Sequence, residues 1–153
     1  MSRIGVISDT HGLVRPEALR ALAGADLIVH AGDIGSPQVL DALRAVAPVV
    51  AVRGNNDRGP WAAALADTEV VETGGRSLYV LHDVKELDLD PRTAGFDAVI
   101  AGHSHQPRID RRDGVLYLNP GSAGPRRFRL PIAVAWLAVE SAGVDAEIVE
   151  LDV

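Results

Sequence analysis

The sequence predicts an α/β protein: two stacked mixed β-sheets flanked by helices, in one domain over residues 1–153. Three observations carry this. A length of 153 residues suits one compact domain that can bury a sizeable core without staples. Through the first half, short apolar runs alternate with helix-like segments, the pattern of parallel strands joined by crossover helices. In the second half the apolar runs come in pairs about short turns, the pattern of antiparallel pairing.

Taken in order, Ile4–Ser8 reads as a strand that ends at Asp9-Thr10-His11-Gly12. Pro16 fits a first helical position, where its missing N–H costs nothing, and Ala18, Leu19, Leu22 and Ala23 give that helix a buried face. Leu27–Ala31 is a second strand, broken by Gly32-Asp33. Ser36-Pro37 caps and starts a helix through Ala45. Val49–Val52 is a third strand, ending at Gly54-Asn55-Asn56-Asp57, and the Ala- and Leu-rich stretch 58–66 is expected to be helical. Val70–Thr73 and Leu78–Leu81 flank Gly74-Gly75-Arg76 as a hairpin, and a short helix is expected to begin at Asp90-Pro91. Ala98–Ala101 is a buried strand that ends in Gly102-His103-Ser104-His105. Ile109–Arg111 pairs with Val115–Leu118 across Asp113-Gly114, and Ile132–Val139 pairs with Val144–Leu151 across Ser141-Ala142-Gly143.

Composition excludes several classes. There is no cysteine, so disulfides, thiolate zinc sites and a Cys nucleophile are ruled out. Fifteen basic residues against 21 acidic ones give a net charge of −6, with no basic tail, which argues against duplex nucleic acid as a partner. The longest uncharged apolar stretch, Leu130 to Val139, contains Pro131 and falls short of the roughly 20 residues needed to span a bilayer. The expectation is a soluble, cytoplasmic protein without a membrane partner.

The chemistry lies where the strands end. In α/β sheets, ligands bind outside the carboxyl ends of the strands. Five apolar runs here end in a carboxylate, amide or imidazole: Asp9 and His11, Asp33, Asn55, His82, and His103 with His105. Each alone reads as a turn, cap or core residue. Together they form an N/O donor set that suits Mn, Fe or Zn, too large for one ion and sufficient for two if a carboxylate bridges.

In the same order, Asp9-x-His11, Gly32-Asp33, Gly54-Asn55-x-Asp57, His82 and Gly102-His103-x-His105 match the motifs of the calcineurin-like metallophosphoesterase superfamily. The chain most resembles its small, single-domain YfcE-like phosphodiesterase branch, which Asn119-Pro120-Gly121-Ser122 followed by Pro125-Arg126 also matches. The resemblance implies the calcineurin-like phosphoesterase fold, an α/β/β/α sandwich. It also implies two divalent ions per chain, Mn2+ foremost, with Fe, Zn, Ni or Mg as alternatives. One ion would be held by Asp9, His11, Asp33 and His105; the other by a bridging Asp33 with Asn55, His82 and His103. A hydroxide between the ions is the implied nucleophile, acting on a small phosphodiester, and Asn55, Asn56 and His103 are the implied catalytic residues.

Two positions depart from the family pattern. Asn56 stands where a proton-donating His or Cys is usual, and Asp83 replaces the glycine that commonly follows the strand-end His. Asp57, Asp83 and Arg126 are expected around the site or at the substrate, Arg126 within a basic group with Arg127 and Arg129 that otherwise reads as a solvated loop. Asp57 could equally cap the next helix, and His30 reads as a packed, hydrogen-bonded core residue. The alternatives are a non-catalytic protein-binding scaffold on the same fold, as in the retromer scaffold subunit, and a phosphomonoesterase or nucleotide pyrophosphatase. Homo-oligomerisation is left open.

Overall fold

The computed structural model describes residues 1–153. β1 (Ser2–Ile7), β2 (Leu27–His30) and β3 (Val49–Ala51) run parallel, with Ile4 opposite Leu27 and Ile28 opposite Val49. α1 (Pro16–Ala21) and α2 (Pro37–Arg44) make the crossovers, each with its proline at the start as expected. β9 (Ala133–Glu140) returns antiparallel beside β1 and pairs outward with β10 (Gly143–Glu150), so the first sheet is ordered β10-β9-β1-β2-β3.

The second sheet is ordered β4-β5-β6-β8-β7, from β4 (Thr68–Thr73), β5 (Arg76–Leu81), β6 (Ala98–Ile100), β7 (Arg108–Arg112) and β8 (Val115–Asn119). Only its outer pairs, β4–β5 and β7–β8, are antiparallel; β5, β6 and β8 run parallel at the centre. Parallel strands are buried on both faces, and β6 is buried along its whole length. The stretch 58–66 is helical only over α3 (Pro60–Ala63), because the Ala66 carbonyl is taken by the Arg53 N–H and the chain then enters β4.

The inner faces of the two sheets meet in one apolar layer that includes Ile4, Val6, Val29, Leu78, Val80, Ile100, Leu116 and Leu137. Outside the first sheet, Leu22, Leu40 and Leu43 of the helical segments close over Ile7, Ile28 and Val134. The outer layer of the second sheet is thin: a single 3-10 turn at Val84–Glu86 and the four-residue α4 (Pro91–Ala94). Leu87, Leu89 and Phe96 cover Tyr79, Leu81, Val99, Ala101 and Val115 there. No helix is long and apolar enough to cross a membrane.

Candidate metal centre

β1, β2, β3, β5 and β6 end at one edge, and the loops beyond them carry the polar residues. Two groups form. In one, ligand atoms of Asp9, His11 and His105 lie within 4.8 Å of one another; in the other, those of Asp33, His82 and His103 do. The groups are contiguous: His11 Nε2 is 3.8 Å from Asp33 Oδ2, and His82 Nε2 is 3.9 Å from Asp9 Oδ1. Asp33 Oδ2 is also 3.3 Å from His82 Nε2, so this oxygen faces imidazoles of both groups.

The backbone bends sharply to aim these side chains. Asp9, His11, Asp33, His103 and His105 all have left-handed φ, from 47° to 72°. L-residues with a Cβ rarely adopt that region, and each such residue costs on the order of 1–3 kcal/mol unless its surroundings hold it there. The loops also touch. A Cβ on Gly54 would run into the backbone and carboxylate of Asp33, and one on Gly102 would meet Ser8 Oγ and Asp9 Oδ2. Glycine at these two positions permits the close approach.

Hydrogen bonds lock the loops together. Asp57 accepts from the backbone N–H groups of Ile34, Gly35 and Gly54, tying the loop after β2 to the loop after β3. It therefore supports the site, while α3 is capped by Gly59. Asn119 donates to the Gly102 carbonyl and Ser104 Oγ, and Ser122 Oγ donates to the Asp9 carbonyl. The Asn-Pro-Gly-Ser segment thus buttresses the loops of both sheets. His30 is fully buried: its Nδ1 accepts from the Gly32 N–H, and its Nε2 faces Thr10 Oγ1, which donates on to the Ile34 carbonyl. Burial, the largest effect on it, pulls its pKa down to about 4, so it is a neutral core histidine.

The electrostatics of the two groups differ. Burial acts to raise Asp33, but hydrogen bonds from His82 and Asn56 outweigh it and hold the carboxyl well below the usual range. Burial likewise acts against the charged form of His82, yet Asp33 and the Ala31 carbonyl, 2.7 Å from His82 Nδ1, push that imidazole up to about 9. With Nδ1–H donated to Ala31, His82 turns Nε2 towards the centre. Asp9 is wholly buried; burial acts to raise it, but His105, whose Nε2 is 3.4 Å from Oδ1, the Ser8 hydrogen bond to Oδ2 and the charge of the nearby histidines keep it low. Its Oδ1 has no hydrogen-bond partner, and His105 Nδ1, also buried, has none.

A buried carboxylate oxygen without a donor, ringed by imidazole nitrogens, fits a cation. The facing nitrogens agree: His11 Nε2 and His105 Nε2 are 3.4 Å apart, and His82 Nε2 and His103 Nδ1 are 3.3 Å apart. The donor set is oxygen and imidazole without thiolate, which suits Mn, Fe or Zn. The residues present therefore fit two metal ions.

The remaining residues singled out from sequence fall at different distances from this centre. Asn55 is exposed and lines the same cleft as His82, Asp83 and His103. Asn56, also exposed, gives both its backbone N–H and its side-chain amide to Asp33. Asp83 Oδ2 is 3.8 Å from His103 Nε2, and the same carboxyl caps the turn at Val84–Glu86. Arg126 lines neither cavity beside the centre; its guanidinium donates to the backbone carbonyls of Leu130 and Val153. Ser8, which donates to Asp9 Oδ2 at 2.7 Å, carries no sequence signal beyond its place at the end of an apolar run.

Comparison with known proteins now decides the family. The model of the calcineurin-like phosphoesterase superfamily domain matches residues 2–142. The chain belongs to the calcineurin-like phosphoesterase superfamily. A probable metallophosphoesterase from Methanothermobacter thermautotrophicus is 38% identical over 157 residues, covering 95% of this chain and 91% of that one. An archaeal phosphodiesterase structure superposes with a TM-score of 0.80 at 23% identity, covering 96% and 99% of the two chains. Vps29 from Entamoeba histolytica, in its Zn2+ complex, superposes with a TM-score of 0.74 at 24% identity, covering 98% and 99%. In this superfamily chain the two sheets, with few helices, match the family's fold, and the two His/Asp groups match its need for divalent metal.

Proposed function

We propose that this phosphoesterase uses two metal ions to hydrolyse phosphodiesters. The observation that carries the reading is the buried, unpartnered Asp9 Oδ1 at the meeting point of two His/Asp groups, with Asp33 Oδ2 facing both. Asp9, His11 and His105 would hold one ion, and His82, His103 and the exposed Asn55 the other, with Asp33 between them. Mn2+ is the ion proposed. When bound, such ions supply an acidified water and positive charge at the phosphoryl oxygens.

The chain's own residues do the rest. Asp33 sets the spacing of the two halves, held from behind by Asn56. The Ala31 carbonyl fixes the His82 ring, so the nitrogen facing the cleft is Nε2. Asn55 and His103 border the seat of the phosphate. Charge favours a diester: two divalent ions against two carboxylates leave +2, which a diester monoanion and one hydroxide balance, while a monoester dianion overshoots. Asn56 cannot release a proton, so the leaving group departs without a general acid at that position, a contribution worth about 10²–10⁴-fold elsewhere.

The test is hydrolysis by Mn2+-loaded protein. Bis(p-nitrophenyl) phosphate is expected to be cleaved faster than p-nitrophenyl phosphate, and methyl p-nitrophenyl phosphate far faster than dimethyl phosphate. Cleavage of the monoester alone would make this a phosphomonoesterase. Metal binding without any hydrolysis would favour the protein-binding scaffold.

A further inference from the structure

We propose that the trough on the outer face of the second sheet, beside His103, is a subsite for a flat aromatic arm of the phosphodiester, either a nucleobase or a phenolic ring. The inference rests on the phosphodiesterase reading above and names its substrate class.

The thin outer layer of the second sheet makes the trough. The segment 84–96 packs over β5, β6 and Val115 of β8 and stops short of the β8–β7 edge, where Tyr117 is half-buried and Arg108 and Arg112 are exposed. Strand alternation sends Val99 of β6, Ala101 just beyond it, Tyr117 of β8, and Arg108, Asp110 and Arg112 of β7 to this face. Val99 pairs with Tyr117 and Tyr117 with Asp110, so a single row crosses the sheet from apolar to charged. Arg112 lies over the Tyr117 ring, 4.5 Å from its centre, and pairs with Asp110 at 2.9 Å, which closes the far end. Val84 and Lys85 stand at the near wall, and Ser104 and Gln106 at the rim.

The trough opens next to the metal centre, because His103 and Asp83 line both it and the cleft that holds Asn55 and His82. Its volume is about 270 Å³, just under the range typical of pockets for whole drug-sized ligands and suited to one arm of a larger molecule. The two cavities differ in character. The cleft at the centre is lined chiefly by charged and amide groups, whereas the trough is lined by the half-buried Tyr117, the exposed Val84 and the largely buried Val99 and Ala101. A flat pleated floor with short side chains and a ring at its end matches a planar group lying on it. The edge of a heterocycle would meet the exposed Gln106 amide and the Ser104 hydroxyl, whose O–H is still free to donate; an alkyl ester would leave both without a partner.

Three diesters sharing the p-nitrophenolate leaving group separate the readings: the methyl, the phenyl and the thymidine 5′ esters. Wild type loaded with Mn2+ is expected to favour the phenyl and thymidine esters over methyl by roughly 10-fold or more in kcat/KM, mainly through KM. Thymidine above phenyl assigns the site to a nucleoside; phenyl above thymidine assigns it to a phenolic group. Gln106→Trp, at an exposed rim position, should block the trough and collapse the ratio, and Tyr117→Ala should lower it. In a second readout, diphenyl phosphate added to Zn2+-loaded protein should shift the backbone amide resonances of Ala101 and Tyr117, and dimethyl phosphate should not. If the methyl ester is cleaved but the ratios are flat, unchanged in both variants, and the amides are still, the subsite is overturned and the phosphodiesterase reading stands. If no diester is cleaved, that reading falls; the amide shifts then decide alone whether the trough takes an aromatic group.

Discussion

The two halves of the metal centre solve the same problem differently. Around Asp33, the chain pairs the carboxylate with donors of its own: Asn56 gives two hydrogen bonds, and His82, held by the Ala31 carbonyl, is pushed up to about 9 and serves as a counter-ion. Around Asp9, one oxygen is held by Ser8 and the His103 backbone N–H, and the other is left bare. Without metal, the Asp33 half can satisfy itself and the Asp9 half cannot. The Asp9 half should therefore depend more on its ion, while the Asp33 half must give up a proton before it can bind one. A symmetric inventory of ligands can hide an asymmetric site.

The largest expected effect is on the residue shared by the halves. Asp33→Ala should cost both ions and lower diester hydrolysis well beyond the ~10–100-fold typical of residues that only support a metal site. Metal analysis of the variant checks this. Loss of one ion with the other intact would confine Asp33 to a single half.

A second prediction concerns the frame that holds the halves in register. His30 is neutral in the fold, with its pKa pulled to about 4 from 6.5 by burial. The unfolded chain binds that proton first, so stability falls as pH drops from 6.5 towards 4, by about 3 kcal/mol in total. Urea denaturation of metal-free protein across that range, beside His30→Gln, should show a slope in wild type that the variant loses. Equal slopes would place the acid sensitivity elsewhere.

Much of this site can be read from the chain because its logic is local: an apolar run sets a strand, and the residue after it faces the carboxyl edge. Asp9, Asp33, His82 and His103 needed nothing more. What supports them is not local. Ser122 reaches the Asp9 carbonyl across 113 positions, Asn119 reaches Gly102 across 17, and Asp57 is an acceptor for three N–H groups in two loops. No periodicity encodes such contacts. The left-handed backbone at Asp9, His11, Asp33, His103 and His105 was equally hidden, since Asp and His there carry no signal that glycine would. Arg126 stands beside a motif, and its guanidinium contacts are with the chain's own backbone oxygens. That the sheets are mixed could be read from the hairpin turns and the buried run Ala98–Ala101, but the neighbours of β6 could not, because a parallel pairing leaves no turn between its strands.

The third prediction tests the asymmetry directly. Because metal-free His82 titrates at about 9, binding of the ion in the Asp33 half should release close to one proton at pH 7, and its apparent affinity should rise about tenfold per pH unit up to about 9. Calorimetric titrations in buffers of different ionisation enthalpy would report that proton. Release below half a proton would mean that the Asp33–His82 pair is not charged. A smaller effect is expected from Asn56→Ala. It removes one of the two hydrogen bonds Asn56 gives to Asp33 and leaves the other, so the ion in that half should weaken by about tenfold, the low end for such supporting groups.

Two ions sharing one site are the core of the proposed mechanism. Protein stripped of metal, reconstituted with excess Mn2+ and freed of unbound ion by gel filtration should retain two ions per chain by elemental analysis. One ion, or none, under those conditions would contradict it.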